Sequence, residues 1–161
     1  MYLRRASPAD LARIGNDPIA AEAFVFPEEY LDPDPGLVEF DKAWQALHFL
    51  LTGAPYAADC PLDIIAGELP AIGGGTIGEP SAWAASPERM AAFNIALQAI
   101  SDADLAARFD VDAMLAHDVY IADSFVGEDD AVDYVLQGVP ALRRFAADCV
   151  SAGDGAIRLL A

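Results

Sequence analysis

The sequence is poor in basic residues. Nine lysines and arginines stand against 26 aspartates and glutamates, which gives a formal net charge of −17, and Lys42 is the only lysine. Binding to a nucleic-acid backbone or to an anionic membrane surface requires a basic patch. The composition therefore argues against both kinds of partner. Two interpretations of the acidity remain: solubility through self-repulsion, or an acidic face that binds a basic protein partner.

The patterns of common metal and redox sites are missing as well. Cys60 and Cys149 are the only cysteines. They form no C-x-x-C pair and the two histidines form no H-x-x-x-H pair, so neither a zinc site nor a redox motif is indicated. A Cys60–Cys149 disulfide is disfavoured because the chain has no other mark of a secreted protein. We expect no cofactor, although spacing alone leaves a carboxylate-only magnesium site open.

The sequence contains no long hydrophobic run. The longest uncharged stretch, residues 43–58, contains Gln45, His48, Gly53 and Pro55, and it is too short and too interrupted to span a bilayer. The basic start of the chain is not followed by the apolar stretch of a signal peptide. We therefore predict a cytoplasmic protein without a membrane partner.

Familiar catalytic motifs are also lacking. No G-x-S-x-G is present, and neither cysteine is close to a histidine in the sequence, so no catalytic nucleophile is indicated. The glycine-rich stretch 69–80 lacks the Lys-Ser/Thr ending of a phosphate loop, and we interpret it as a bent strand or a broad loop. The acids within residues 32–39 do not follow the calcium-loop pattern. The missing motifs favour a non-catalytic protein, and the alternative of an enzyme stays open at this point.

Signals for helix starts are abundant. Ser7-Pro8, Asp17-Pro18 and Ser86-Pro87 each place a capping side chain before a proline, which suits the first helical position. Ser101 followed by Asp104 resembles a capping box. A short helix is also expected around residues 112–117 and another over 61–68, and short strands are expected over 2–5, 119–121 and 156–160.

Three longer segments have helical periodicity. The clearest is residues 40–52, where apolar side chains recur at spacings of three and four before a glycine. Residues 86–100 and 129–152 show the same period. The last segment is interrupted by Gly138 and Pro140, and because proline removes a backbone hydrogen bond we expect a kink or a break there.

The fold class follows from the order of these elements. The strands do not alternate with helices at a regular βαβ spacing, which favours an α+β fold over a doubly wound sheet. A chain of 161 residues is the length of one ordinary domain and can bury a sizeable core. We therefore predict one domain over residues 1–161, in which several helices pack on a small sheet of short strands.

The acidic residues are concentrated in two stretches. Residues 28–41 contain six acids and no base, and residues 102–133 contain ten acids and only Arg108 as a base. If the two stretches meet in the folded protein, they form one strongly negative surface. Such a surface would suit a basic partner.

One stretch of the sequence resembles a known family. Residues 37–53, LVEFDKAWQALHFLLTG, resemble the "LDKxWxxLHxLLTG" signature of the YfbM-like family of bacterial proteins. Residues 97–110, LQAISDADLAARFD, are similar to its "aLxxlseeeLxxrfd" region, and residues 61–78 are similar to its "PL…ailGG" region. The resemblance covers nearly the whole chain and implies an α+β domain of unknown function. Ile121 and Pro140 depart from the family pattern.

The same segment carries the candidate site. Asp41, Trp44 and His48 are spaced so that a helix would place them along one side, with Thr52 one turn further. A histidine beside a carboxylate and an aromatic ring can act as a general base. The structural interpretation is a core histidine bonded to a backbone carbonyl, a core tryptophan, and an aspartate at the positive end of the helix dipole. A ligand pocket is the third interpretation, and Tyr120 is a further candidate for its lining.

Two functional hypotheses follow. The first is a non-catalytic interaction module, of the adaptor or immunity type, with a basic protein partner. The second is a small-ligand-binding protein or small enzyme that uses the Asp41–His48 helix, which requires a concave pocket reached by His48. The sequence does not indicate the oligomeric state.

Overall fold

A five-stranded antiparallel sheet lies at the centre of the computed structural model, which describes residues 1–28, 34–73 and 81–161. The strand order is β2-β1-β5-β4-β3, so the first and last strands of the chain pair in the middle of the sheet. The strands are β1 (Tyr2–Ala6), β2 (Leu37–Glu39), β3 (Ala71–Ile72), β4 (Ser81–Ala85) and β5 (Gly155–Leu160).

Helices surround this sheet, and four of them begin at the capped starts that the sequence predicted. Ser7, Asp17, Ser86 and Ser101 each accept a hydrogen bond from a backbone amide of the first turn. The α+β class and the single compact domain are confirmed. The helices are α1 (Pro8–Ile14), α2 (Pro18–Val25), α3 (Trp44–Thr52), α4 (Pro87–Gln98), α5 (Asp102–Ala106), α6 (Val111–Ala116), α7 (Ala131–Leu136) and α8 (Val139–Ala152), with a 3₁₀ turn at Ala122–Phe125.

The sheet is covered on both faces. Helices α1 and α2 contribute to a smaller apolar cluster that includes Ile157 and Leu159 of β5. The larger cluster includes Ala156 from the opposite face of β5 and is built mainly from α3, α4 and α8. Since side chains alternate along a strand, Arg158 points to the same face as Ala156. A charged residue therefore enters the larger apolar layer.

The break predicted in the last helical segment is confirmed. Helix α7 ends at Leu136, and α8 begins at Val139 with Pro140 in its first turn. Proline is tolerated there because the first amides of a helix have no partner within the helix. The break allows α7 to turn away from α8, and α7 then packs near α3 and α5.

Three local predictions are wrong. The helix expected over residues 40–52 begins only at Trp44, so Asp41 lies before it. Residues 61–68 form turns and bends instead of a helix, and residues 119–121 form a turn instead of a strand, with Ile121 at φ +60°. Strands β2 and β4 were not predicted. In each case tertiary contacts override the local pattern.

Two predictions extend beyond the described residues. The acidic stretch 28–41 includes Glu29 and Asp32, and the glycine-rich stretch 69–80 continues past Gly73 into residues 74–80. Those parts lie outside the described residues. Across the described ranges, no helix combines the length and the apolar character that crossing a membrane requires.

Candidate functional site

An irregular segment of residues 54–69, called here the central loop, separates α3 from β3. Polar side chains from the surrounding elements hold it in place. From α3, the Gln45 side-chain amide donates to the Pro55 carbonyl at 3.0 Å, and His48 Nε2 lies 2.8 Å from the Tyr56 carbonyl. These side chains take the place of the regular backbone hydrogen bonds that a helix would supply.

Two arginines bind the far half of the central loop. Arg89 of α4 donates to the carbonyls of Cys60 and Asp63, each at 3.0 Å. Arg158 of β5 donates through Nη1 to the carbonyls of Ile64 and Gly67, each also at 3.0 Å. These contacts explain why residues 61–68 do not form a helix: guanidinium groups bind four of the carbonyls in this part of the loop.

His48 is a core residue. Its side chain is 0% exposed, and the hydrogen bond to the Tyr56 carbonyl places the ring proton on Nε2. Asp63 is also buried, with Oδ1 3.6 Å from His48 Nε2 and Oδ2 accepting from the Ala58 amide at 2.9 Å. Among the described residues, His48 Nδ1 and Asp63 Oδ1 have no hydrogen-bond partner. This geometry matches the structural interpretation of His48.

The buried His48 ring predicts a pH dependence of stability. Burial lowers the pKa of His48 from its ordinary value of 6.5, although the Tyr56 carbonyl and Asp63 oppose that shift. The unfolded chain then binds the proton more tightly than the folded protein does. The contribution of neutral His48 to stability is therefore fully present above about pH 6.5 and is lost as the pH falls toward the pKa of His48 in the folded protein. In that pH range, the free energy of unfolding of the wild type should fall by up to about 1.4 kcal/mol per pH unit more than that of His48→Gln.

Chemical denaturation of both proteins between pH 5 and 7.5 measures this difference in slope. Glutamine can still donate to the Tyr56 carbonyl, so His48→Gln removes the titrating ring with little change in hydrogen bonding. Parallel slopes for the two proteins, together with a His48 ring that titrates near pH 6.5 in the folded state, would contradict the prediction.

Three of the predicted site residues line one cleft. Asp41, Trp44 and Tyr120 contribute to a cavity of about 440 Å³, together with Glu39 and Lys42. We call it the acidic–aromatic cleft, defined by Glu39, Asp41, Trp44 and Tyr120. His48 does not line this cleft, and Thr52 also points elsewhere, because its hydroxyl donates to the His48 carbonyl at 2.9 Å and closes the end of α3.

The members of the cleft are held by contacts that are distant in sequence. The Tyr134 hydroxyl of α7 donates to Asp41 Oδ2 at 2.9 Å. The Tyr120 amide donates to Gln45 Oε1 at 2.6 Å, while the Tyr120 side chain is 49% exposed. Gln45 is 2% exposed and bonds both Tyr120 and the central loop, so it links the cleft to that loop. Sequence reasoning missed Gln45, although a polar residue in a long uncharged run was a usable signal.

Ten acidic residues lie in the stretch of chain that contains Tyr120 of the cleft. All ten acids of residues 102–133 are exposed, and we call this set the acidic surface. Tyr120 lies within the same stretch, and Tyr134 follows directly after it. The acids are Asp102, Asp104, Asp110, Asp112, Asp118, Asp123, Glu128, Asp129, Asp130 and Asp133.

The arginines nearest this surface are engaged with helix ends. Arg108 Nη1 donates to the carbonyls of Leu50 and Leu51 at 3.1 and 3.4 Å, at the carboxyl end of α3. Arg143 donates to the carbonyls of Leu97, in the last turn of α4, and of Ile100, just after it, and pairs with Asp102 at 2.9 Å. Cations at these positions complement the helix dipole. Most of the acidic surface is therefore left without an adjacent countercharge.

A metal site finds no support in the described part of the chain. Within residues 1–28, 34–73 and 81–161, no group of three or more His, Cys, Asp or Glu side chains could hold a metal ion. Both cysteines are free, and burial raises the pKa of the Cys149 thiol to about 12.

Comparisons with known proteins agree on the fold. The family model for the Domain of unknown function (DUF1877) matches residues 1–158. The crystal structure of YfbM, a protein of unknown function from Escherichia coli, is similar with a TM-score of 0.69 and 15% identity, and the match covers 99% of this chain and 98% of that chain. At this identity the likeness shows the fold alone. No curated protein matches. The resemblance to YfbM-like proteins is confirmed, and nothing in the matches indicates a specific activity.

Proposed function

The chain belongs to the DUF1877 family, a domain of unknown function, and we propose that it is a non-catalytic interaction module of the adaptor or immunity type. Its partner would be a protein with a basic segment. The observation that carries the proposal is the acidic surface of ten exposed carboxylates, because Arg108 binds backbone carbonyls and Arg143 pairs with Asp102 alone. Charge complementarity of this kind accelerates association and selects partners.

The acidic–aromatic cleft supplies a specific anchor for such a segment. Trp44 and Tyr120 are aromatic residues of the kind that attract a guanidinium or ammonium group, and Asp41 and Glu39 supply two carboxylates in the same cleft against the single side-chain cation Lys42. Aromatic residues of this type often dominate the binding energy of an interface. We infer that one arginine or lysine of the partner enters the cleft while neighbouring basic residues lie along the acidic surface.

The catalytic alternative has less support. His48 would have to reach substrate, but its side chain is fully buried and does not line the cleft. The proposal also places the protein in the cytoplasm of a bacterium. Two free thiols suit a reducing compartment, and the similar YfbM protein is bacterial.

Affinity capture with matched variants tests the proposed function. The immobilised protein is incubated with native bacterial lysate at low salt, in parallel with Tyr120→Ala and Asp41→Asn in the cleft and with Asp129→Asn on the acidic surface. We expect wild type to retain a basic protein that is released by high salt. The cleft variants should lose it, while Asp129→Asn should retain it. An empty capture at low salt, or equal losses for Asp41→Asn and Asp129→Asn, would count against the proposal.

A further inference from the structure

A second, smaller cavity lies beside the cleft and has a different character. Its volume is about 170 Å³. We call it the aromatic cavity, and the residues that matter to its chemistry are Trp44, Tyr56, Ile65, Ala66, Trp83 and Arg158. Trp44 lines both spaces. Aromatic and aliphatic walls around one charged side chain are typical of small-molecule sites.

Arg158 is the polar group of this cavity. The residue is only 5% exposed, and its guanidinium lies 4.3 Å from the centroid of the Trp83 ring. Burial lowers the pKa of Arg158 to about 10, against the opposing charge of Asp63, so it remains a cation at neutral pH.

The hydrogen bonds of Arg158 leave one edge of the guanidinium open. Nη1 donates to the Ile64 and Gly67 carbonyls. Among the described residues, no acceptor binds Nε or Nη2, and no carboxylate pairs with Arg158. These nitrogens are also not among the fully buried atoms that lack a partner, so they retain some exposure, and Arg158 lines the cavity. Nε and Nη2 together form the planar fork that binds a carboxylate through two parallel hydrogen bonds.

We propose that the aromatic cavity binds a small aromatic carboxylate, whose carboxylate pairs with Nε and Nη2 of Arg158 and whose ring lies against Trp44 and Trp83. The volume supports a single ring, because an apolar cavity of about 150 Å³ is enough to hold benzene. A cation would meet the Arg158 charge, and a neutral ring would leave the open donors without a partner. This site differs from the cleft in charge and in its other lining residues, although Trp44 lines both.

Benzoate is the probe, and the two tryptophans are the reporters. The chain contains only two tryptophans, and both line the cavity. Their indole N–H signals in a ¹H–¹⁵N NMR spectrum therefore report occupancy without other indoles in the background. We expect both signals to shift saturably with benzoate. Benzyl alcohol, which has the ring without the charge, should bind about ten-fold more weakly or worse. Benzamidine, a cation, should leave the signal of Trp83 unshifted, since Trp83 lines the cavity and not the cleft.

Variants separate the cavity from the cleft. Arg158→Met should lose the preference for benzoate over benzyl alcohol, but this buried change can prevent folding. Ala66→Leu fills the cavity and leaves Arg158 in place, so it should abolish benzoate binding in a folded protein. Tyr120→Ala alters only the cleft and should bind benzoate as wild type does.

Any one of three results would overturn the proposal: indole signals that do not shift at the highest soluble benzoate concentration, benzyl alcohol that binds as tightly as benzoate, or an Ala66→Leu variant that binds benzoate like wild type. None of these results bears on the capture of a basic partner. Conversely, loss of partner capture in Tyr120→Ala with unchanged benzoate binding would support the separation of the two sites.

Discussion

Gly67→Ala is expected to destabilise the protein by about 3 kcal/mol, since it combines overpacking with a displaced buried carboxylate. A methyl group at position 67 would overlap the carboxyl group of Asp63. That carboxylate cannot move without losing the hydrogen bond from the Ala58 amide and its position beside His48. The same change would disturb the Gly67 carbonyl that accepts from Arg158.

Urea denaturation monitored by circular dichroism measures this loss, and Gly127→Ala is the matched control. Gly127 has a φ of +80°, but an added methyl group there meets no atom within 4 Å. Its replacement should cost only the backbone strain of a left-handed residue, about 1 kcal/mol. The explanation would be contradicted if Gly127→Ala were the more damaging of the two, or if Gly67→Ala had no effect.

Arg158→Met is expected to lower the free energy of unfolding by about 3 kcal/mol, because two buried carbonyls of the central loop lose their charged donor. The variant loses two hydrogen bonds to the central loop and the contact with Trp83. It also leaves the buried Asp63 carboxylate without the nearby positive charge of Arg158, with which it interacts electrostatically. Methionine keeps much of the side-chain volume, so the loss reports charge and hydrogen bonding more than packing.

Arg144→Met is the control for this substitution. Arg144 is exposed on α8, and its replacement should change stability by less than about 0.5 kcal/mol. The double variant Asp63→Asn, Arg158→Met should lose less than the sum of its single changes, because neutralising Asp63 removes the unpaired charge. Additive losses would show that the two side chains do not interact.

The elements of this fold that depend on neighbouring residues could be predicted from the sequence. Ser7, Asp17 and Ser86 specify helix starts through contacts within one turn, and the interruption before Pro140 needs only the geometry of that residue. Such features are local, so they can be read from the sequence. The α+β class follows from their order.

The elements that depend on distant contacts could not be predicted in the same way. Residues 119–121 have β-forming side chains, but the Tyr120 amide is bound by Gln45, which lies 75 positions away. Residues 61–68 lack helical backbone bonds because Arg89 and Arg158 bind their carbonyls. No local pattern encodes those partners.

In the candidate site too, local features could be predicted and features that depend on distant contacts could not. Helical spacing correctly linked Trp44 with His48 on α3, but Asp41 lies before the helix begins, and its position is fixed by Tyr134. Helix α3 is buried on all sides from Gln45 to Leu51, so His48 is enclosed as well, while Trp44 at its start is half-buried beside the cleft. Arg158, a lone charge in an apolar strand, was the signal that sequence reasoning overlooked.

Binding of a labelled, acetylated and amidated tetra-arginine peptide, followed by fluorescence anisotropy at low salt, tests the proposed function most directly. Asp41→Asn and Asp129→Asn remove the same charge, and the asparagine side chain introduced in the cleft can still accept from Tyr134. If the acidic–aromatic cleft anchors a cationic side chain, Asp41→Asn should weaken binding about ten-fold, while Asp129→Asn should weaken it less than about two-fold. Equal weakening by both variants would show diffuse attraction to the acidic surface and would contradict a specific anchor in the cleft.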